Sequence, residues 1–128
     1  MGLFNKLFGK QRNVADNFLR LRSMALSLDP GQVGLKPDAG HPVFGVLMET
    51  VYDNTIVTLS AMGEGSVSLY FSNGGGIIGL GEYDEPRKAC LSLLSFAQEF
   101  ISYFQPAKEY PFPAGAARVR ASPIPVLR

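Results

Sequence analysis

The first regular pattern in the chain is a helical one. Apolar residues follow one another at alternating steps of four and three, which places them on one stripe of a helix; they are Val14, Phe18, Leu21, Ala25 and Leu28. Asn13 suits the N-cap of this helix, and Asp29-Pro30-Gly31 suits its end. Arg20 and Arg22 lie off the stripe, so we expect them in water or facing an acidic patch.

Three strand-like runs follow at residues 43–51, 55–62 and 66–72, separated by turns at Asp53-Asn54 and at 63–65. Short turns between neighbouring strands predict an antiparallel meander. The third run alternates apolar residues with Ser and Tyr, which predicts one buried face and one face in water. The first run is apolar on both faces, so we expect the N-terminal helix to cover the second side of the sheet.

A longer helical pattern extends from Asp84 to Phe104, with Asp84 as N-cap and Gln105-Pro106 at its end. Its inner stripe should donate most of the core; the stripe consists of Cys90, Leu93, Leu94, Ala97, Phe100, Ile101 and Phe104. A thiol on a buried face is more often a small apolar residue than a nucleophile. These patterns predict an α+β fold, in which one long helix of the C-terminal half and an N-terminal helix pack on an antiparallel meander sheet of three to five strands.

The chain divides into two parts at residue 12. Residues 13–128 should form a single α+β domain, with an irregular Pro-rich tail from residue 106 in which 116–121 could form a short strand. Residues 1–12 form a basic amphipathic segment, in which four apolar residues recur at helical spacing beside two lysines; the six are Leu3, Phe4, Lys6, Leu7, Phe8 and Lys10. This segment is typical of a peripheral anchor on an anionic membrane, or of a terminal turn that docks on its own chain.

Charge is distributed unevenly behind the net value of +1. Residues 1–28 carry five basic residues against one acidic, residues 29–105 carry three against nine, and residues 106–128 carry four against one. An acidic body with basic ends suggests that the ends either fold back or meet an anionic partner. Nucleic acid is disfavoured, because the basic residues are scattered and the body is acidic.

Glycines concentrate at residues 74–81, between the third strand and the long helix. Gly74, Gly76 and Gly79 fit the spacing of a dinucleotide-binding turn, and with Gly75 they are the candidate ligand-binding residues. That motif requires a parallel sheet and a helix that begins within the glycines, whereas here the strands are antiparallel and the helix begins with carboxylates. A structural turn, with Ile77-Ile78 as a short fourth strand or bulge, is the favoured interpretation.

The sequence offers no catalytic constellation. His41 is the only histidine and Cys90 the only cysteine, so neither a catalytic triad nor a multi-cysteine metal site can be assembled. We therefore predict no catalytic residues, no metal and no cofactor. A single cysteine also suits a reducing compartment, which favours the cytoplasm, with the alternative of attachment to the inner face of the membrane.

The run of residues 68–79 ahead of an amphipathic helix, Ser-Leu-Tyr-Phe-Ser-Asn-Gly-Gly-Gly-Ile-Ile-Gly, resembles a pattern in small uncharacterised bacterial proteins. The resemblance covers roughly residues 43–104 and implies a bacterial protein. In such proteins the final strand runs on past the position of Arg120, whereas here Ala121-Ser122-Pro123 should interrupt it. The meander followed by a long helix is also similar to the roadblock and profilin-like architecture, which implies a non-enzymatic interaction module that often dimerises.

Taken together, these features predict a non-catalytic interaction or regulatory module in the cytoplasm, working as a homodimer or with a protein partner. Only 18% of the residues are charged, which leaves apolar surface available for such a contact. Two alternatives stay open: a peripheral membrane protein anchored by residues 1–10, and a nucleotide-binding protein that uses the glycine turn.

Overall fold

A computed structural model describes residues 14–38, 40–114 and 118–123. Two helices and five strands follow in the order α1 (Asp16–Leu26), β1 (Val43–Tyr52), β2 (Thr55–Met62), β3 (Val67–Phe71), β4 (Gly76–Ile77), α2 (Asp84–Phe100) and β5 (Arg118–Pro123). Every pairing in the sheet is antiparallel, and the strand order is β4-β3-β2-β1-β5. The predicted α+β fold, with a meander sheet and two helices, is confirmed.

The predicted turns produce the meander. Asp53 and Asn54 both have positive φ, which is the conformation of a two-residue hairpin turn whose twist matches that of the strands it joins. β1 and β2 then pair along their length, from Tyr52 against Thr55 to Gly45 against Met62. The short fourth strand predicted at Ile77-Ile78 lies one residue earlier, as β4, which pairs at Gly76 and Ile77.

The two helices pack on opposite faces of this sheet. Successive residues of a strand point to opposite faces. Ala25 of α1 packs with Leu47 of β1, whereas Leu94 of α2 packs with the neighbouring residue, Val46. The expectation that the N-terminal helix covers the second face of the sheet is therefore confirmed. The polar face of β3 is only partly exposed: Ser68 and Tyr70 are half-buried, and Ser72, which follows the strand, is buried close to the start of α1.

The boundaries of the helices differ from the prediction. α1 begins at Asp16 with Ala15 at the N-cap, and Asn13 lies outside the described residues. α2 begins at Asp84 itself, so that Asp84 is the first helical residue and Tyr83 is the N-cap. The predicted role of Asp84 as N-cap is wrong because its carboxylate lies one residue too late; it still faces the positive end of the helix dipole.

Most of the predicted inner stripe of α2 packs on the sheet. Cys90, Leu94 and Ala97 are buried, and Leu93 and Ile101 pack against them, whereas Phe100 remains 38% exposed. The helix ends at Phe100, four residues before the predicted end, and continues as a 3₁₀ turn over Ile101–Tyr103.

The last described strand completes the sheet. β5 pairs with β1, where Ser122 opposes Gly45 and Pro123 opposes Val43 across a register shift. The predicted interruption at Ala121-Ser122-Pro123 is therefore wrong. β5 is an edge strand, and a proline at the end of an edge strand removes no hydrogen bond from the interior of the sheet.

Candidate interaction surface

The outer face of α2 carries an exposed aromatic row. Phe96 is 59% exposed and Tyr103 is 79% exposed, with Phe100 between them. The ring centroids of Phe96 and Phe100 are 4.5 Å apart, and those of Phe100 and Tyr103 are 5.8 Å apart. Aromatic pairs at these distances stabilise one another, so that the three rings form a continuous apolar surface on the side of the helix that faces away from the sheet.

A shallow groove of about 420 Å³ adjoins this row. It is lined by Leu91, Ser92, Ser95, Phe96 and Glu99. Leu91 is 41% exposed, so that both large apolar residues of the lining are accessible. Small residues between larger apolar ones let another backbone approach closely. We call this groove and the aromatic row the α2 outer face.

Sequence reasoning missed the α2 outer face because it followed only the inner stripe of the helix. The available signal was the pair Leu91 and Phe96, two large apolar residues among the polar positions of α2. An amphipathic helix that only covers a core keeps that side polar. Leu91 and Phe96 therefore depart from the polar outer side of an ordinary amphipathic helix.

A buried ionic cluster lies beneath α1, on the other face of the sheet. Arg22 donates from Nε to Oε2 of Glu49 at 2.7 Å and from Nη2 to Oε1 at 2.8 Å. The hydroxyl of Thr58 donates to the same Oε2 at 2.6 Å. Glu49 is fully buried and Arg22 is only 8% exposed, so that this ion pair is removed from solvent. Its charges are tolerated because the donors and acceptors face one another in bidentate geometry.

Arg22 also fixes the irregular segment that follows α2. Its Nη2 donates to the carbonyl oxygen of Tyr110 at 2.9 Å, and its guanidinium lies 4.5 Å from the ring centroid of Phe112. Arg120 of β5 donates to the carbonyl oxygen of Pro111 at 3.1 Å, and burial lowers the pKa of its guanidinium. One arginine of α1 and one of β5 therefore stabilise residues 110–112 over the same face of the sheet.

Glu49 is the sequence feature from which this buried cluster could have been predicted. It is the only charged residue within β1, on a face shared with Leu47 and Val51. A carboxylate on an apolar strand face must find a basic partner or remain in water. The prediction that Arg22 lies in water or at an acidic patch missed how deeply the arginine is buried, because helical spacing identifies the apolar stripe and does not register a buried cation.

The candidate ligand-binding glycines form a tight turn. Gly74 has φ of +101° and Gly79 has φ of +84°, values that favour glycine. The Gly74 N–H donates to the carbonyl oxygen of Phe71 and the Gly75 N–H donates to Oδ1 of Asn73, each at 2.9 Å. These two amides are already satisfied within the chain, which leaves them poorly suited to cradle a phosphate.

The same turn holds the start of α1. Asn17 donates from Nδ2 to the carbonyl oxygen of Gly74 at 2.9 Å, and the Ala15 N–H donates to the carbonyl oxygen of Ser72 at the same distance. At Gly76, a Cβ atom would lie 2.5 Å from the carbonyl oxygen of Leu69 on β3. The turn therefore joins β3, β4 and α1, and these contacts account for its glycines without a ligand.

The other two residues weighed for catalysis lie apart from each other. His41 is exposed in the segment before β1, with Nδ1 3.5 Å from Oδ1 of Asp38. Backbone hydrogen bonds from His41 and Gly40 lower the pKa of Asp38. Cys90 is buried under α2 with its Sγ 3.3 Å from the carbonyl oxygen of Met62, and burial raises the pKa of its thiol. The expected burial of Cys90 is confirmed.

The predicted anchor residues Leu3, Phe4, Lys6, Leu7, Phe8 and Lys10 lie outside the described residues. Within the part of the chain that is described, no helix is long and apolar enough to cross a membrane. Over the same residues, no three His, Cys, Asp or Glu side chains are grouped so that they could hold a metal ion.

Comparison of the chain with protein-family models, curated proteins and solved structures found no match.

Proposed function

We propose that the protein is a non-catalytic interaction module that forms a homodimer through the α2 outer face. The observation that carries this proposal is the exposed aromatic row of Phe96, Phe100 and Tyr103 beside an apolar-walled groove. Aromatic residues are enriched in the buried centres of protein interfaces, where they contribute a large part of the binding energy.

The composition supports a contact of this kind. A chain with only 18% charged residues has few side chains that keep copies apart in solution. The inner side of α2 packs against the sheet through Cys90, Leu94 and Ala97. The outer aromatic residues therefore add nothing to the core, and contact with a partner gives them a role.

Light scattering at increasing protein concentration tests the proposal. The mass should rise from 13.9 kDa toward twice that value as the concentration increases. Phe96→Ser should weaken the dimer by about thirtyfold or more, the range of an interface residue that contributes strongly. Its free energy of unfolding as a monomer should fall by no more than about 1.5 kcal/mol, because the exposed ring loses only its contact with Phe100.

Tyr52→Ser is the matched control. Tyr52 is an aromatic residue that is 76% exposed, and it lies at the β1–β2 hairpin, away from α2. This variant should dimerise like the wild type. A chain that stays at 13.9 kDa at all concentrations contradicts the proposal. Equal weakening by both substitutions contradicts the choice of the α2 outer face.

A further inference from the structure

Along the outer side of α2, three pairs of exposed residues, though not Arg87 and Phe100, are arranged symmetrically about the midpoint between Leu93 and Leu94. At equal steps from this point, Ser92 on one side corresponds to Ser95 on the other, Leu91 to Phe96, and Lys88 to Glu99. All six of these residues are exposed. A helix whose two halves match in size and are opposite in charge is complementary to a second copy of itself that runs in the opposite direction.

The helical geometry places the charged pair on one line. Lys88 and Glu99 are eleven residues apart, close to three full turns of about 3.6 residues each, so they project from the same side of α2. Ser92 and Ser95 lie between them on that side. Leu91 and Phe96 flank the serines to the left and to the right. This side of α2 therefore has charged side chains at both ends, small side chains in the middle and apolar side chains along its edges.

From this arrangement we propose that the occupant of the groove is α2 of a second copy, packed antiparallel about a two-fold axis at Ser92 and Ser95. Lys88 of each protomer then faces Glu99 of its partner. This inference rests on the proposed function and specifies its geometry. The two serines permit the close approach, Leu91 and Phe96 supply the apolar contact, and the two ion pairs select the antiparallel direction.

The charges distinguish this arrangement from its alternatives. In a parallel pair of α2 helices, Lys88 would face Lys88 and Glu99 would face Glu99, which is repulsive at both ends. Charged residues across an interface mainly fix orientation and exclude wrong pairings. The opposite signs at the two ends of α2 therefore favour an antiparallel second copy over a parallel one.

A charge-exchange series tests the arrangement, with the dimer Kd measured by sedimentation equilibrium at low salt on the full chain. Lys88→Glu places four carboxylates in two repulsive pairs and should weaken the dimer by about tenfold, and Glu99→Lys should do the same with four amines. The double variant Lys88→Glu/Glu99→Lys restores two opposite pairs. Its Kd should return to within about threefold of the wild type.

Arg20→Glu is the control, because it makes the same change of charge on an exposed residue of α1, on the other face of the sheet. It should leave the Kd unchanged. Raising the salt concentration should reduce the difference between the single variants and the wild type, since exposed ion pairs are screened. Circular dichroism confirms that each variant keeps its helices.

The results separate this inference from the proposed function. If the wild type does not dimerise, both fail. If the wild type dimerises and Phe96→Ser weakens it, while the charge series has no effect, the α2 outer face remains the interface and the antiparallel arrangement is overturned. If both single variants weaken the dimer and the double variant does not recover, Lys88 and Glu99 do not face each other and the arrangement is again overturned.

Discussion

The two helices differ in what they bury against the sheet and in what they expose. α1 places a charged residue, Arg22, against the sheet, where it binds Glu49 out of contact with solvent. α2 places apolar residues, a neutral thiol and the uncharged amide of Gln98 there; this amide accepts from the Val43 N–H and donates to the Val43 carbonyl oxygen. Both helices expose large apolar side chains, but the exposed aromatic residues are on α2, whereas those on α1 are Leu19 and Met24.

The difference indicates different roles for the two faces of the sheet. A buried ion pair contributes little net stability compared with apolar packing, yet its hydrogen bonds are satisfied by only one arrangement of the elements. Under α1, that arrangement includes the backbone of residues 110–111. The aromatic rings of α2 contact one another, yet Phe96 and Tyr103 remain more than half exposed. The α1 side therefore holds residues 110–111 through a buried ion pair, whereas the α2 side leaves aromatic surface in solvent.

The largest effect is expected from breaking the ion pair. Glu49→Leu should lower the free energy of unfolding by about 3–5 kcal/mol, because Arg22 would remain buried without its carboxylate partner. Urea unfolding followed by circular dichroism measures the change. By contrast, Phe96→Ser should lower this free energy by no more than about 1.5 kcal/mol, through the lost contact with Phe100.

The triple variant Arg22→Met/Glu49→Leu/Thr58→Val sharpens this result. It replaces every member of the cluster with an apolar residue of similar size, so most of the lost stability should return. If the triple variant is as unstable as Glu49→Leu, the unpaired buried charge of Arg22 is not what lowers the free energy of unfolding of Glu49→Leu. The cluster would then stabilise the fold mainly through its contacts with residues 110–112.

An intermediate effect is expected at the glycine turn, which precedes α2 and holds the start of α1. Gly76→Val should lower the free energy of unfolding by about 1–3 kcal/mol, because its Cβ would collide with the carbonyl oxygen of Leu69 and force β4 away from β3. Thermal and urea unfolding measure this loss. Dimer formation by the folded fraction should be unchanged, since α2 itself is untouched.

Gly40→Ala is the control for this substitution. Gly40 lies in the exposed segment before β1, and a Cβ there would meet only Oδ1 of Asp38 at 3.5 Å, an ordinary contact. Its stability should stay within about 0.5 kcal/mol of the wild type. Equal stability of Gly76→Val and Gly40→Ala would show that the close contact between Gly76 and the carbonyl oxygen of Leu69 does not restrict the side chain at position 76.

The sequence predicted most of the fold because its local signals agree with one another. The turn at Asp53-Asn54, the alternation in β3 and the apolar stripes of both helices all favour a meander covered by two helices. The course of the chain around β5 was missed, since its pairing with β1 depends on contacts between residues 69 to 80 positions apart. Local pattern carries no information about such a pairing.

The candidate site was less predictable than the fold. The glycine spacing matches a known motif, yet the amides of Gly74 and Gly75 already donate within the turn, and the positive φ of Gly74 favours glycine without a ligand. Helical spacing assigned Phe100 to the inner stripe of α2 and left Phe96 out of it. A residue's exposure depends on what packs against its helix, and Phe100 remains 38% exposed although its spacing fits the stripe.

The smallest expected effect is the pH dependence of stability that arises from the buried thiol of Cys90. On the α1 side a charge is buried with partners, whereas on the α2 side Cys90 is buried as a neutral thiol whose pKa is raised above its ordinary value of 9.0. The folded protein therefore keeps the thiol proton to a higher pH than the unfolded chain does. The contribution of the neutral thiol to stability is fully present below the unfolded-state pKa and declines as the pH rises through it toward the raised folded-state pKa.

Urea unfolding at pH 7.5 and roughly pH 10 tests this pH dependence. Between these two values the free energy of unfolding should fall more in the wild type than in Cys90→Ala, which lacks the titrating group. Parallel pH profiles of the two proteins would mean that the α2 side admits a thiolate, and the contrast between the two sides of the sheet would be lost.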